Sequence, residues 1–150
     1  MIFELNEEQK LVQDTARQFA ADDIAPTLEE EEKNQEFRTE RVRKMGELGF
    51  FSCALPEELG GSGMGFFESV LMAEQIAKVS ASWRLPFNMQ NLGPAVTVAK
   101  FGTEEQKQRY VPPLARGEKI GAFALTEPGA GSDAAAIATT ATKTNGHYVL

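Results

Sequence analysis

Gly121-Ala-Phe-Ala-Leu-Thr-Glu-Pro-Gly-Ala-Gly-Ser-Asp133 divides this chain in two. Its first half, Ala122 to Thr126, is apolar and free of breakers, a pattern that predicts a short buried strand. Its second half is a turn. Pro128 fixes its own φ and steers Glu127 away from helical geometry. Gly129 and Gly131 lack Cβ, so the backbone there can take positive φ and a ligand can approach closely. Ser132 brings a hydroxyl that can donate to a phosphate or carbonyl oxygen, and Asp133 can cap the segment that follows. A strand that hands Thr126 to a Gly-Ala-Gly-Ser turn suits a flat polar ring joined to an anionic tail. A generic Gly-x-Gly, by contrast, is usually a plain turn.

Before this stretch the periodicity is helical. Asn6 and Gln9 form a capping-box pair. Leu11, Val12, Ala16, Phe19, Ala20 and Ile24 then recur at helical spacing until Pro26. Leu28 to Lys33 holds four consecutive glutamates, expected to lie on a solvated helix, because adjacent residues point to different sides. Thr39 to Leu48 predicts a second helix with Gly49 as its stop. The glycines from 60 to 65 fail the Gly-x-Gly-x-x-Gly spacing, since Phe stands at 66, and read as a loop. Phe66 to Val79 predicts a third helix with Phe67, Val70, Leu71, Glu74 and Ala77 in register. Ala81 to Asn91 is amphipathic but interrupted at Pro86. Pro94 opens a helix that ends at Gly102. Thr103 with Gln106 is a second capping box, opening a helix that Pro112-Pro113 stops.

After Gly117 strand-like segments take over. Thr139 to Lys143 is polar and β-branched, Asn145-Gly146 is a two-residue hairpin signal, and His147 to Leu150 begins the return strand. The fold expected is α+β: an all-α helical domain over 1–117, then the first strands of a β-barrel-like domain over 118–150. A hairpin arm is a poor natural terminus, so a longer chain is expected.

Composition limits the function classes. A chain of 150 residues with 42% hydrophobic content can bury ~70% of its extended surface as one domain. A net charge of -7 argues against nucleic acid. No apolar run approaches the ~20 residues of a membrane span. The start, Met1-Ile-Phe-Glu-Leu-Asn-Glu-Glu, lacks the basic region of a signal peptide, and a cytoplasmic location is expected. Cys53, the single cysteine, cannot form an internal disulfide and reads as a small buried hydrophobe. His147, the single histidine, has no partner at ligand spacing, so no metal site is expected.

The string Phe123-Ala-Leu-Thr-Glu-Pro-Gly-Ala-Gly-Ser-Asp133 resembles the flavin-contacting motif of the acyl-CoA dehydrogenase family. Asn6-Glu-Glu-Gln, Met45-Gly-Glu-Leu-Gly-Phe, Leu55-Pro-Glu-Glu-Leu-Gly-Gly and Phe101-Gly-Thr-Glu-Glu-Gln-Lys follow in the family's order. The resemblance implies that Phe123, Ala124, Leu125, Thr126, Glu127, Pro128, Gly129, Ala130, Gly131 and Ser132 line FAD. Backbone groups of Phe123 and Leu125 and the Thr126 hydroxyl would meet the ring's polar edge. Gly131 and Ser132 would meet the pyrophosphate, with Ser132 also near the acyl-CoA. Phe123 departs from the Tyr of some members. The reaction implied is α,β-dehydrogenation of an acyl-CoA thioester, with electrons passed to an electron-transferring flavoprotein and a homotetrameric assembly. The base is a glutamate of a C-terminal helical domain not in this sequence, so no catalytic residue is assigned, and Glu127 reads as a structural turn residue.

Lys78-Val-Ser-Ala-Ser-Trp-Arg-Leu, with Met89-Gln90, is similar to the glutaryl-CoA and benzylsuccinyl-CoA dehydrogenase branch. There the Arg matching Arg84 grips the substrate's distal carboxylate, and a guanidinium fork suits a carboxylate. Decarboxylating members carry a Glu seven residues earlier, where this chain has Ala77. An acyl-CoA oxidase, a flavin hydroxylase and a non-catalytic binding scaffold of the same fold remain alternatives.

Overall fold

The computed structural model describes residues 4–150, so the reading of Met1 to Phe3 as a start without signal character lies outside the described residues. Helix α1 spans Glu7–Phe19, and its capping box is complete. Gln9 N–H donates to Asn6 Oδ1 at 2.8 Å, and Asn6 N–H donates to Gln9 Oε1 at 3.1 Å. Toward Pro26, which has no N–H to give, the helix widens into a π-turn over Ala20–Ile24 and tightens into a 3-10 turn over Ala25–Thr27. Helix α2 follows at Leu28–Asn34 and ends where Gln35 turns left-handed, φ 54°. Helix α3 spans Thr39–Glu47, with Gly49 at φ 76° just beyond it.

Helices α4 (Phe66–Val79) and α5 (Ala81–Leu92) meet at Ser80, whose hydroxyl accepts from Trp83 N–H at 3.1 Å. Helix α6 is Pro94–Phe101. Helix α7, Glu104–Ala115, opens on the Thr103–Gln106 capping box. Two proline readings are corrected here. Pro86 lies inside a continuous α5, and α7 runs through Pro112 and Pro113 to Ala115. Packing overrides the local penalty: α5 buries Trp83 and Phe87, and α7 buries Val111, Leu114 and Ala115. The α4 stripe is also corrected. Phe67 and Val70 are more than half exposed, while Leu71, Met72, Gln75 and Ile76 are buried. Helix α4 is apolar on several sides, so composition did not single out the face that meets α1. Leu11 on α1 is likewise exposed.

Two cores result. The larger gathers Phe19, Ile24, Met45, Phe50, Phe51, Ile76, Trp83 and Phe87. In it the Phe19 and Phe50 rings pack edge-on, centroids 5.3 Å apart. Cys53 is buried in this core as expected, and burial pushes its thiol pKa up. The smaller core joins Leu55 and Leu59 to Ala95, Val111, Leu114 and Ala115.

The acidic run of α2 is not simply a solvated face. Glu31 is buried, held by Arg41 of α3 and by Trp83 Nε1–H of α5 at 3.0 Å. At the far end of the chain, strands β1 (Thr142–Thr144) and β2 (His147–Val149) pair antiparallel in the register Thr142↔Val149, Lys143↔Tyr148 and Thr144↔His147. Asn145 (φ 48°) and Gly146 (φ 83°) both take the left-handed conformation that a two-residue hairpin turn needs. The architecture is thus a mostly helical body followed by a short two-stranded sheet. No helix among the described residues is long and apolar enough to cross a membrane.

Candidate functional site

The stretch 121–133 leaves the helical body at a crossing built from small residues. A Cβ on Gly121 would lie 2.8 Å from the Pro94 ring carbons. One on Gly93 would lie 3.1 Å from Phe123 Cε2. The chain therefore passes over the α5–α6 junction at close range, with the Phe123 ring against Gly93. Buried Gln90, on the last turn of α5, ties the crossing down. Its Nε2 donates to Leu114 O and to Lys119 O, each at 2.8 Å, and its Oε1 accepts from Gly121 N–H at 3.0 Å.

Beyond the crossing, Ala122 to Thr126 is exposed and unpaired, which corrects the expected buried strand. A strand needs a neighbour to accept and donate its ladder bonds. Among the described residues the sheet consists of β1 and β2 alone, with one isolated bridge. That bridge is the turn itself. Glu127 and Ala130 exchange both backbone hydrogen bonds at 3.1 Å, with Pro128 and Gly129 between them. Ala130 is buried beneath the turn.

The expectation of positive φ at the two glycines is corrected. Positive φ occurs at neither Gly129 nor Gly131. Instead, a Cβ built on either would meet nothing within 4 Å. What they contribute is bare, approachable backbone. Ser132 is exposed beside them. Asp133 caps as expected: its Oδ1 accepts from Ala135 N–H at 3.2 Å, heading the 3-10 turn Ala134–Ala136.

Glu127 has a structural post. Its carboxylate oxygens accept from Ala138 N–H and Thr139 N–H, each at 2.9 Å. Bonding from Thr139 and from the Ala138 backbone holds its pKa below the usual carboxylate range. It clamps the returning chain against the turn.

Thus Phe123 to Ser132 are brought together along one open edge and turn. Arg84 is not at that edge. It lies half-buried on the first turns of α5, nine residues before Gly93 and so ~13 Å away along the helix axis. No carboxylate among the described residues pairs with its guanidinium. His147 sits exposed on β2, paired with Thr144, and among the described residues no group of three His, Cys, Asp or Glu is placed to hold a metal ion. Sequence reasoning missed Gln90. A glutamine in an amphipathic helix gives no sign that it will be buried, because its partners lie 24 to 31 positions further on.

The geometry suits a flavin. Among the described residues the backbone N–H groups of 122–126 find no acceptor, Thr126 is exposed, and open space adjoins Gly129 and Gly131. A flat ring's polar edge and a diphosphate are ligands that such an edge and turn can satisfy.

A helical body followed by an edge and turn of this kind is the arrangement expected of the acyl-CoA dehydrogenase class, and similarity to known proteins assigns the chain to it. The profile described as "Acyl-CoA dehydrogenase, N-terminal domain" matches residues 6–118, and the chain belongs to that family. It is 40% identical over 153 aligned residues to a glutaryl-CoA dehydrogenase of Desulfococcus multivorans, covering 100% of this chain and 39% of that protein. It superposes on the glutaryl-coenzyme A dehydrogenase–glutaryl-CoA complex with a TM-score of 0.94 at 40% identity, covering 99% of this chain and 38% of the other. An acyl-CoA dehydrogenase of Bacillus anthracis complexed with FAD gives 0.87 at 36% identity, over 97% of this chain and 25% of that one. The chain spans about two fifths of the length of the curated relatives it matches.

Proposed function

We propose that the whole protein is an FAD-dependent dehydrogenase that oxidises an acyl-CoA thioester between its α and β carbons. The observation that carries this reading is the open edge 122–126 running into the Glu127–Ser132 turn, in a chain that belongs to the acyl-CoA dehydrogenase family. FAD, when bound, supplies the hydride acceptor. Phe123, Ala124, Leu125 and Thr126 present backbone and hydroxyl groups to the ring's polar edge. Glu127, Pro128, Gly129, Ala130, Gly131 and Ser132 shape the turn that takes the diphosphate, and Ser132 also borders the acyl-CoA. Donors aimed at an edge that gains charge on reduction favour the reduced state. The α-proton base is assigned to no glutamate of these 150 residues, because the family resemblance places it in a C-terminal helical domain; Glu127 in particular is committed to Ala138 and Thr139.

The substrate in this reading is a carboxylated acyl-CoA, its distal carboxylate held by Arg84. A half-buried guanidinium without a carboxylate partner is suited to that task. The glutaryl-CoA dehydrogenase relative supports glutaryl-CoA, and the branch resemblance keeps benzylsuccinyl-CoA beside it. Ala77 argues against loss of CO₂. Electrons pass to an electron-transferring flavoprotein, the assembly is a homotetramer, and the division between domains falls at Gly117.

The test is purification of the full-length protein. It should be yellow, and Thr126→Ala combined with Ser132→Ala should weaken FAD retention. A colourless protein that FAD does not reconstitute overturns the reading. A yellow protein that turns over no acyl-CoA with any electron acceptor would instead be a binding scaffold.

A further inference from the structure

Among the described residues the edge 122–126 has no neighbouring strand, so its position is set at its two ends and where the Phe123 ring meets Gly93. Downstream the Glu127–Ala130 pair closes the turn. Upstream the fixture is the Gln90 amide. It is 3% exposed, and both Nε2 hydrogens are spent on carbonyls, of Leu114 and Lys119, while Oε1 takes the Gly121 N–H. This arrangement has one polarity. Flipping the amide would set its oxygen against two carbonyl oxygens and its NH₂ against an N–H, leaving every group unsatisfied. The same three bonds join the end of α7 to the start of the edge, so α5, α7 and the edge meet on one side chain. One turn further along, Gly93 receives the Phe123 ring and Pro94 abuts Gly121. Neither glycine leaves room for a Cβ at the crossing.

We propose that Gln90 is a positioning residue for the cofactor edge: its amide fixes where residues 122–126 leave the helical body, and thereby how their backbone donors face the flavin. The inference rests on the flavin reading above. Gln90 touches no ligand in this scheme and acts through Gly121 and Phe123.

Three variants of the full-length protein test it, each compared with wild type for helical content, FAD dissociation constant and the visible spectrum and reduction potential of bound flavin. Gln90→Leu keeps the bulk and removes all three bonds. Gln90→Glu keeps the shape; ionised, it faces two carbonyls, whereas the protonated carboxyl can donate to one of them. Gly121→Ala leaves Gln90 intact and pushes the edge off Pro94. FAD dissociation constants should rise about tenfold or more, as expected when the lost bonds misplace a binding edge, with an altered flavin spectrum and helical content unchanged. The Gln90→Glu defect should shrink as pH falls, a recovery that lost packing alone would not give. Should Gln90→Leu fail to fold, Gln90→Glu across pH and Gly121→Ala carry the test. Wild-type FAD affinity and spectrum in the variants that fold would overturn the positioning role. Failure of the wild type to bind FAD would overturn the flavin reading instead.

Discussion

The guanidinium of Arg41 forks onto the carboxylate of Glu31, Nη1 to Oε2 at 2.5 Å and Nη2 to Oε1 at 2.7 Å, and both side chains are almost wholly buried. Around the pair, Thr27 Oγ1 and Trp83 Nε1 donate to the carboxylate, and Arg41 Nη2 reaches Asp23 O at 2.6 Å. The guanidinium carbon also lies 4.4 Å from the centre of the Trp83 ring. One polar hub thus ties α2, α3 and α5 at the edge of the main core.

Breaking one side of this pair should be severe. Glu31→Ala leaves a buried guanidinium with its forked acceptor gone, and Arg41→Ala does the reverse. Each is expected to lower unfolding free energy by about 3–5 kcal/mol. Replacing both with apolar residues of similar volume, Glu31→Leu with Arg41→Met, should cost much less than the two single losses summed. Urea denaturation of the four proteins checks this, and additive losses would contradict it.

The hub also fixes a response to acid. The Arg41 hydrogen bond, with Thr27 and Trp83 aiding it against burial, holds the Glu31 pKa down from 4.5 to about 2. In the unfolded chain the carboxyl takes its proton at the ordinary value, so falling pH favours unfolding. The contribution, on the order of 3 kcal/mol, is complete above pH ~4.5 and fades as pH falls toward ~2. Stability measured across that range should fall more steeply in wild type than in Glu31→Leu/Arg41→Met.

At the turn, Glu127→Ala should free the amides of Ala138 and Thr139 while leaving the helical cores intact. Hydrogen exchange at those two amides should speed up, with no change at Phe87 or Ile76. Unaltered exchange at 138 and 139 would show that the clamp is idle.

Arg84 gives a substrate-level outcome. Arg84→Ala should raise KM for a dicarboxylic acyl-CoA far more than for an unsubstituted acyl-CoA of equal length. The difference should correspond to about 2–5 kcal/mol if the carboxylate is desolvated against the guanidinium. Equal effects on both substrates would remove Arg84 from the substrate site.

Features encoded within a few residues were legible in the sequence. The Asn6–Gln9 and Thr103–Gln106 boxes and the Asn145-Gly146 turn each depend on neighbours within three positions, and the structure places them as read. Features settled by distant partners were not. Glu31 looked like one of four solvated glutamates because Arg41 and Trp83 stand 10 and 52 positions away. Pro86 and Pro112 carry a local helix penalty that burial of Phe87 and Val111 outweighs. The 122–126 segment has the composition of a strand, but strand pairing belongs to two segments at once, and no segment among the described residues pairs with it.

Trp83 is the single indole in these 150 residues, stacked on Phe37 with centroids 5.0 Å apart and bonded to Glu31. Its emission therefore works as a built-in optical gauge of whether α2, α3 and α5 are docked. Loosening of the hub by acid should be visible as a fluorescence change originating from one known place.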